Sequence, residues 1–454
     1  MTSYWCELAW LGGPNATQGV VIEVENGRIS SVTSDQVAPP PGATALAGLT
    51  LPALANAHSH AFHRALRGRT HGERGTFWTW RDLMYRAASG LDPDNYYRLA
   101  RATFAEMALA GIGVVGEFHY VHHRPGGGAY DDPNAMGVSL AAAARDSGIR
   151  LTLLDTLYLH GGFASDAPSG YAPLLAEQSR FSDGSAEAWA ERVDDLAATF
   201  TGPTTAVGAA VHSVRAVDPT SIGVAARWAA DHRAPLHVHV SEQLTENWEC
   251  TAALGRTPIA VMADAGGLSP DTTLVHATYP SGEDISLAGE VGANCCLCPT
   301  TERDLADGIG PSDLLERAGA RLCVGSDSHA VIDLFEETRA VELGQRVTRM
   351  ERGVHSIEAL AAMATRNGYR SLGWKGGGAL TPGSLADFTT IGLDSVRLAG
   401  ADADNALASA IFTATSADVH HLVVGGRPVV VGGKHVSVDV ASELDSIISE
   451  LMAS

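Results

Sequence analysis

Metal-binding side chains stand at the ends of several apolar segments of this sequence. His58 and His60 are two residues apart after one such segment, His239 closes a second, and Asp327 closes a third. In a β-strand, side chains two residues apart point to the same side, so both imidazoles of the first pair can reach one cation. Three imidazoles and one carboxylate suit Zn²⁺ with a position left for water, and Fe²⁺ fits the same ligand types. The pattern predicts a mononuclear metal site.

Each of these residues also fits an ordinary structural role when it is taken alone. An isolated His-x-His pair is more often a surface or core feature than a ligand pair. A lone histidine such as His239 is compatible with a hydrogen-bonded position in the core. The joint pattern is much harder to obtain by accident, because the residues stand at different strand ends in chain order. We therefore favour the metal site.

Three residues are candidates for moving protons at such a site. Glu242 lies three residues after His239, where it can shuttle a proton, although a carboxylate at a helix start is the alternative. His276 ends another apolar segment and can stabilise charge on the attacked carbon, although a buried structural histidine is the alternative. Asp327 can hold the metal and also accept a proton from its water. The predicted chemistry is hydrolysis by a metal-activated water.

Eight apolar segments carry these polar residues at their ends. Their last residues are His60, Tyr120, Tyr158, His212, Glu242, His276, Cys298 and Asp327. The segments alternate with helical patterns, such as those opened by Asp92-Pro93 and Asp218-Pro219, which implies a parallel sheet. We expect an α/β fold with a (β/α)8 barrel of the TIM type, whose active site lies at the C-terminal ends of the strands.

Both chain ends are rich in short alternating segments and turns. Residues 20–24 followed by Asn26-Gly27 predict a hairpin, and residues 422–431 repeat that pattern around two glycines. We expect a small β-sandwich built from residues 1–50 and 380–454, joined to a barrel of residues 51–379. The length of 454 residues agrees with a barrel of ~250 residues that carries an added layer.

Composition disfavours several other functions. The chain has 52 acidic and 31 basic residues, so its net charge is 31 − 52 = −21. Such a chain is a poor nucleic-acid binder, and it needs placed arginines to receive an anionic metabolite. No apolar stretch approaches ~18 residues, and the start of the chain has no basic segment followed by an apolar run. We expect no membrane association and a cytoplasmic location.

The positions of the lysines and cysteines disfavour further kinds of catalytic and metal-binding sites. Lys375 and Lys434 are the only lysines, and neither falls in a predicted barrel strand. No lysine there can form a Schiff base or, once carboxylated, bridge two metals. Cys295 and Cys298 have C-x-x-C spacing, which suits a redox pair, a metal clip or a buried strand. We favour the strand, because no second cysteine pair completes a tetrahedral site.

Together these motifs resemble the amidohydrolase superfamily and, within it, the mononuclear deaminase branch. Several longer blocks are similar to the formimidoylglutamate deiminase family and span residues 50–350. These blocks are HSHAF (58–62), FWTWRDLMY (77–85), EFHYVHH (117–123), HSVRA (212–216), HVHVSEQ (237–243) and DGI (307–309). That family converts N-formimino-L-glutamate and water to N-formyl-L-glutamate and ammonia, a step of histidine breakdown.

The resemblance implies roles for several of the matching residues. The implied metal ligands are His58, His60, His239 and Asp327. The implied catalytic residues are Glu242, His276 and Asp327. The implied substrate contacts are Arg81, Tyr120, His212 and Arg215. No role for His122 or His123 follows from the sequence.

The implied substrate contacts agree with the chemistry of a dicarboxylate. Arg81 and Arg215 can each hold one carboxylate by two parallel hydrogen bonds, although either one alone is compatible with an ordinary surface position. Tyr120 can donate one more, or it can be an aromatic core residue with a polar tip. At His63, a position expected to touch the substrate, the family usually has Gln. His63 can still hydrogen-bond a carboxylate, or it can mark a shifted substrate.

Several alternatives stay open at this point. One is a deaminase that acts on another formimino amino acid, such as formiminoaspartate. A second is a deaminase of an aminated heterocycle, which does not need two carboxylate clamps. A third is a non-catalytic barrel scaffold, although such proteins typically lose metal ligands. The sequence does not separate zinc from iron, and a homodimer is expected by family analogy only.

Overall fold

The computed structural model of the chain describes residues 2–70, 77–164, 167, 169–200 and 202–453. Strands β1 to β18 are Thr2–Ala9, Thr17–Glu25, Arg28–Thr33, Thr44–Pro52, Leu54–Ser59, Ile112–His119, Arg150–Leu157, Gly162–Phe163, Tyr171–Ala172, Thr205–Ser213, Leu236–Val240, Thr272–His276, Asn294–Leu297, Arg321–Val324, Phe388–Ile391, Val419–Val424, Arg427–Val431 and Lys434–His435. Helices α1 to α15 are Phe77–Ser89, Pro93–Leu109, Ala135–Ser147, Ala186–Thr199, Pro219–His232, Leu244–Leu254, Pro258–Asp264, Gly282–Val291, Pro299–Asp304, Ser312–Ala318, Leu334–Arg349, Ile357–Ala362, Gly368–Ser371, Ala406–Thr413 and Val440–Ala453. A short 3₁₀ segment, Ala176–Phe181, follows β9 along the chain.

Eight parallel strands form the predicted barrel. Their order is β5-β6-β7-β10-β11-β12-β13-β14, so each strand pairs with the next barrel strand along the chain, while β8 and β9 form a separate hairpin. The two outer strands meet through a parallel bridge between Ser59 and Asp327. The backbone N–H of Asp327 donates to the carbonyl of His58 at 3.0 Å, and that of His60 donates to the carbonyl of Asp327 at 3.2 Å. The barrel therefore closes through the residues that carry the predicted ligands.

The barrel strands are buried on both faces because helices cover the barrel from outside. Every residue of β6 and of β7 is buried, as is typical of parallel strands between a filled interior and a helical layer. Helix α2 begins where Asp92 accepts hydrogen bonds from the backbone N–H groups of Asp94 and Asn95, both at 2.9 Å. Asp218 caps α5 in the same way. Both helix starts were predicted from their Asp-Pro pairs.

The chain ends form a separate eight-stranded sheet, in the order β18-β17-β16-β15-β4-β1-β2-β3. Strand β4 joins the two ends, since it pairs in parallel with β1 and antiparallel with β15. A buried ion pair links this sheet to the barrel, because the guanidinium of Arg150 donates to both oxygens of Asp387 at 2.7 and 3.0 Å. The domain boundaries at residues 50 and 380 stay a prediction.

Two further expectations concern membranes and cysteines. Across the residues that the structure describes, no helix has the length and apolar character needed to span a membrane. All six cysteines are buried and free. Cys295 lies within β13, as favoured above, whereas Cys298 follows that strand directly and precedes α9.

Candidate functional site

Four ligand-type side chains converge at the C-terminal end of the barrel. His58 lies in β5 and His60 follows it, His239 lies in β11, and Asp327 follows β14. All four are buried, and one ligand atom from each lies within 4.8 Å of the others. The structure thus brings together the complete set of predicted ligands from three separate strands.

The distances within this group suit a single cation. Nε2 of His239 lies 3.0 Å from Nε2 of His58 and 3.3 Å from Nε2 of His60. Oδ1 of Asp327 lies 3.4 Å from the Nε2 atoms of both His58 and His60. Ligands about 2.0–2.1 Å from a tetrahedral zinc ion stand roughly 3.3 Å apart, so the spacing matches a metal at the centre.

The second ring nitrogens show which atoms face the centre. Nδ1 of His60 donates to the carbonyl of Phe118 at 3.0 Å, and Nδ1 of His239 donates to the carbonyl of His212 at 2.9 Å. A carbonyl can only accept, so each Nδ1 carries the proton and each Nε2 presents a lone pair. Two imidazole lone pairs and a carboxylate that converge in a buried space favour a bound cation. These residues therefore fit a buried metal site.

An acid–base group adjoins the metal ligands. Nε2 of His276 lies 3.7 Å from Oε1 of Glu242 and 3.8 Å from Oδ2 of Asp327. On the other side of the ring, Nδ1 lies 3.4 Å from Oε1 of Glu302, which also accepts the backbone N–H of Cys298 at 2.9 Å. Glu302 therefore orients the imidazole so that Nε2 faces the two catalytic candidates.

The backbone at these strand ends is unusual. Ser241, His276 and Asp327 all have positive φ angles, of 52°, 72° and 43°. Side chains with a Cβ rarely adopt this conformation, and it concentrates at functional sites.

Burial and mutual charges shift the pKa values in this group. Burial is the largest effect on Glu242 and raises its pKa, the charge of Asp327 raises it further, and His276 opposes both. Burial lowers the pKa of His276, but Glu242, Glu302 and Asp327 outweigh it and raise the pKa well above its usual value. A carboxyl that binds a proton readily and an imidazole that holds one suit proton transfer near neutral pH.

The cavity above the ligands contains every predicted substrate residue. Its walls come from α1, α9, the 3₁₀ segment and the ends of seven barrel strands, namely β5, β6, β7, β10, β11, β12 and β14. The lining residues are His60, His63, Trp80, Arg81, Met84, Tyr85, Tyr120, Tyr158, Phe181, His212, Arg215, His239, Glu242, His276, Thr301, Leu305 and Asp327. The cavity thus joins metal ligands, an acid–base group and two arginines.

His63 and Tyr120 form one contact within that wall. Nε2 of His63 lies 3.2 Å from the hydroxyl of Tyr120, which also contacts the sulfur of Met84 at 3.6 Å. Burial and the neighbouring His60 lower the pKa of His63 well below its usual value. His63 is therefore a neutral hydrogen-bonding group in the absence of an anionic ligand.

The two arginines occupy different surroundings. Arg81 lies on α1 with its guanidinium carbon 5.5 Å from the ring centre of Tyr85. Arg215 follows β10 beside two buried acids; burial lowers its pKa, but Glu246 and Glu242 outweigh that effect and raise it. Glu246 also accepts the backbone N–H of Glu242 at 3.1 Å, so it holds the segment that carries Glu242.

A second histidine–acid group lies behind Tyr120. His119, His122 and Asp155 have ligand-type atoms within 4.8 Å of one another. Arg192 already donates to both oxygens of Asp155, at 3.0 and 2.8 Å, so a guanidinium supplies the positive charge there. His122 donates to the carbonyl of Thr156 at 2.9 Å. This group fixes the segment after β6 and needs no metal.

His123 completes the same network. Its Nε2 donates to Asp183 at 2.9 Å, and Asp183 also receives two hydrogen bonds from Arg192, at 2.8 and 2.9 Å. The backbone N–H groups of His122 and His123 both donate to the carbonyl of Arg180. The two histidines without a predicted role therefore anchor the loop that follows Tyr120.

Several residues near the site were not predicted from the sequence. Glu302 and Glu246 lie in helices after strand ends, and their acidic character was the only available signal. Glu117 of β6 accepts the backbone N–H of Ala61 and the hydroxyl of Ser59, both at 2.6 Å, beneath the metal ligands. Burial raises the pKa of Glu117 to about 8. Its position inside the predicted strand could have marked it as an interior acid.

Comparisons with known proteins agree with this geometry. Residues 49–429 match the Amidohydrolase family. The chain is 36% identical over 405 residues to a formimidoylglutamate deiminase of Pseudomonas aeruginosa, covering 87% of each, and 29% identical to an 8-oxoguanine deaminase of the same organism, covering 95% and 93%. A solved amidohydrolase of Brucella melitensis aligns over 100% of both chains with a TM-score of 0.91 and 31% identity. The chain belongs to the amidohydrolase family.

Proposed function

We propose that this protein hydrolyses N-formimino-L-glutamate to N-formyl-L-glutamate and ammonia, a step of histidine breakdown. The observation that carries the proposal is one cavity lined by three of the four metal ligands, the Glu242–His276 pair and two arginines. A linear amidine with two carboxylates needs all three. The similarity to a formimidoylglutamate deiminase over most of both chains supports the same substrate.

We propose zinc as the metal, held by His58, His60, His239 and Asp327. The donor set of three imidazole nitrogens and one carboxylate suits Zn²⁺, and Fe²⁺ is the alternative. A divalent ion bound there lowers the pKa of a water molecule and so supplies a nucleophile at neutral pH. One ion per chain is expected.

The remaining steps belong to the protein's own side chains. Oδ2 of Asp327 accepts a proton as the water oxygen adds to the formimino carbon. Glu242 delivers a proton to the imino nitrogen, and Nε2 of His276 stabilises the charge that develops on the added oxygen. The two protons of the water end on the leaving nitrogen, so the C–N bond breaks and ammonia departs. The carbon is left as a formyl group.

The arginines give the substrate its orientation. Arg81 and Arg215 each bind one carboxylate, while Tyr120, His212 and His63 line the path between them and the metal ligands. In a chain of net charge −21, two arginines in the cavity locally reverse the potential that an anionic substrate meets.

A second candidate is the deamination of an aminated heterocycle. Five aromatic side chains line the cavity, namely Trp80, Tyr85, Tyr120, Tyr158 and Phe181, and flat rings can stack on such surfaces. The 29% identity to an 8-oxoguanine deaminase points the same way. The two arginines argue against it, since a neutral ring offers neither guanidinium group a carboxylate to bind.

Turnover of a substrate panel tests the proposal. We expect zinc-loaded protein to release ammonia from N-formimino-L-glutamate with a kcat/KM at least tenfold above that for N-formimino-L-aspartate, and no release from guanine or 8-oxoguanine. Preference for the aspartate compound would make His63 the mark of a shorter substrate. Turnover of a purine alone would replace the proposed function with the second candidate.

Two expectations about the protein's setting accompany this function. We propose a homodimer and a cytoplasmic location, both by family analogy. Sedimentation of the purified protein tests the first, and cell fractionation tests the second.

A further inference from the structure

A buried glutamine links two of the tyrosines that line the cavity. Nε2 of Gln178 lies 3.0 Å from the hydroxyl of Tyr85 and 2.9 Å from that of Tyr158. Gln178 is fully buried and lies in the 3₁₀ segment behind the cavity wall, while both tyrosines face the cavity itself. The proposed function gives this pair no role.

The orientation of the Gln178 amide follows from its other partner. Its Oε1 accepts the backbone N–H of Leu175 at 2.8 Å. Because a backbone N–H can only donate, the oxygen of the amide must be on that side and the NH₂ group must face the tyrosines. Gln178 therefore donates one hydrogen bond to each phenol oxygen.

This arrangement fixes what the tyrosines can offer to a ligand. Both phenol oxygens accept from Gln178, so neither phenol can donate its own proton to that residue. A hydrogen bond between the two hydroxyls would use at most one of their two protons. At least one O–H is left to donate into the cavity, and it is strengthened by the hydrogen bonds that its oxygen accepts.

The charges around the pair identify the ligand chemistry. Arg215 and Arg81 are the charged neighbours of Tyr158, and the guanidinium of Arg81 lies over the ring of Tyr85. Hydroxyl donors beside two guanidinium groups are suited to a carboxylate, which accepts several hydrogen bonds at once. A neutral group in the same place would leave part of this donor set unsatisfied.

We infer that Tyr85 and Tyr158, held as donors by Gln178, form a specificity-determining site that binds a substrate carboxylate together with the arginines. The inference rests on the proposed function for the identity of the substrate. The donor site itself should bind any dicarboxylate of similar length. Glutarate, a five-carbon dicarboxylate without a formimino group, is therefore a suitable probe.

Calorimetric titration of zinc-loaded protein with glutarate tests the site directly. We expect the double variant Tyr85→Phe/Tyr158→Phe to bind glutarate about 10- to 100-fold more weakly than wild type, the effect of losing hydrogen bonds to a charged group. Tyr97→Phe is the matched control, since its hydroxyl contacts Asp146 at the surface, and it should bind as wild type does. Equal glutarate affinity in wild type and the double variant overturns the inference, as does failure of wild type to bind glutarate.

Gln178→Glu tests the direction of the hydrogen bonds. A carboxylate has the same shape but can only accept, so both phenol protons turn towards residue 178 and away from the ligand. Glutarate affinity should fall more in the wild-type background than in the double Phe background. Simple charge repulsion acts in both backgrounds alike, so an equal fall in the two would remove Gln178 from the site.

Turnover separates this inference from the proposed function. With N-formimino-L-glutamate, the double variant should raise KM about 10- to 100-fold and change kcat little, because the pair contacts a carboxylate and not the reacting carbon. If wild type releases no ammonia while glutarate binding still depends on the tyrosines, the proposed function fails and the donor site stands. If wild type is active and the variant keeps its KM, the donor site fails and the function stands.

Discussion

Nδ1 of His276 lies 3.4 Å from Oε1 of Glu302, and the same oxygen accepts the backbone N–H of Cys298 at 2.9 Å. One carboxylate oxygen thus ties the imidazole to the start of the helix that follows β13. This relationship turns Nε2 of His276 towards Glu242 and Asp327 and makes Glu302 a positioning residue.

Replacement of Glu302 tests that positioning role. In Glu302→Gln, the backbone N–H of Cys298 selects the amide oxygen, so that oxygen can still accept from both Cys298 and Nδ1 of His276. The kcat of this variant should therefore stay within about tenfold of wild type. Glu302→Leu leaves the ring unheld and should lower kcat about 10- to 100-fold with KM little changed. Glu290→Leu, on the exposed face of α8, is the control. Equal kcat values for the Gln and Leu variants of Glu302 would contradict the role.

Glu242→Gln tests the proton shuttle. Glutamine fills the same space but cannot carry a proton, so kcat for ammonia release should fall about 100- to 10,000-fold while metal content, measured by atomic emission, is unchanged. Glu249→Gln, on the exposed side of α6, should behave as wild type. Near-normal turnover in Glu242→Gln would remove this residue from the mechanism.

Metal removal tests the ligand set. Dialysis against a chelator should abolish turnover, and one equivalent of Zn²⁺ or Fe²⁺ should restore it, with the more effective ion identifying the native metal. His239→Ala should fail to retain a stoichiometric ion, since it removes one of the three converging imidazoles. His232→Ala, at the exposed end of α5, should retain the ion. Full activity in metal-free protein would contradict the proposed chemistry.

Arg192→Met tests the buried ion network behind Tyr120. Burial raises the pKa of Asp183, but hydrogen bonds from His123 and Arg192 outweigh burial and lower that pKa below its usual range. Burial also raises the pKa of Asp155, and the charge of Arg192 outweighs burial there and lowers that pKa as well. Because their pKa values are lowered, these two carboxylates contribute their full share to the free energy of unfolding of the wild type above about pH 4. That contribution is lost only as the pH falls further. At pH 7 the variant should lose about 3 kcal/mol or more.

The pH dependence of the stability difference between Arg192→Met and wild type distinguishes a loss of electrostatic interactions from a loss of packing. Without the guanidinium, burial dominates and the pKa values of Asp155 and Asp183 rise. The variant should then gain stability relative to wild type as the pH falls from 7 towards 5, which unfolding midpoints at several pH values measure. Arg98→Met, which removes an exposed pair with Glu450, should change stability by less than about 1 kcal/mol at every pH. A stability difference independent of pH would contradict the electrostatic account.

The metal ligands could be predicted because strand periodicity and strand ends determine where such residues point. His58, His60, His239 and Asp327 each stand at the end of an apolar run, and closure of the barrel necessarily brings those ends together. The separate sheet of the chain ends was predicted from its hairpins. These features depend on the local pattern of apolar and polar residues and on the closure of eight parallel strands into a barrel.

The supporting residues could not be predicted in the same way. Gln178 contacts Tyr85 across 93 residues of sequence, and Glu302 contacts His276 across 26. Both lie in short helical segments outside the strands, where no spacing rule relates them to the site. The positive φ angles of His276 and Asp327 are also invisible in the sequence, because they arise from the packing of the barrel mouth.

The products of one reaction test the proposed function most directly. The formimino carbon has two C–N bonds, and only cleavage at the imino nitrogen leaves the glutamate nitrogen attached. Zinc-loaded protein supplied with N-formimino-L-glutamate in ¹⁸O-labelled water should yield equal amounts of ammonia and N-formyl-L-glutamate, with one ¹⁸O atom in the formyl group, by mass spectrometry. Release of free glutamate and formamide, or no products from this substrate in metal-loaded protein, would contradict the account.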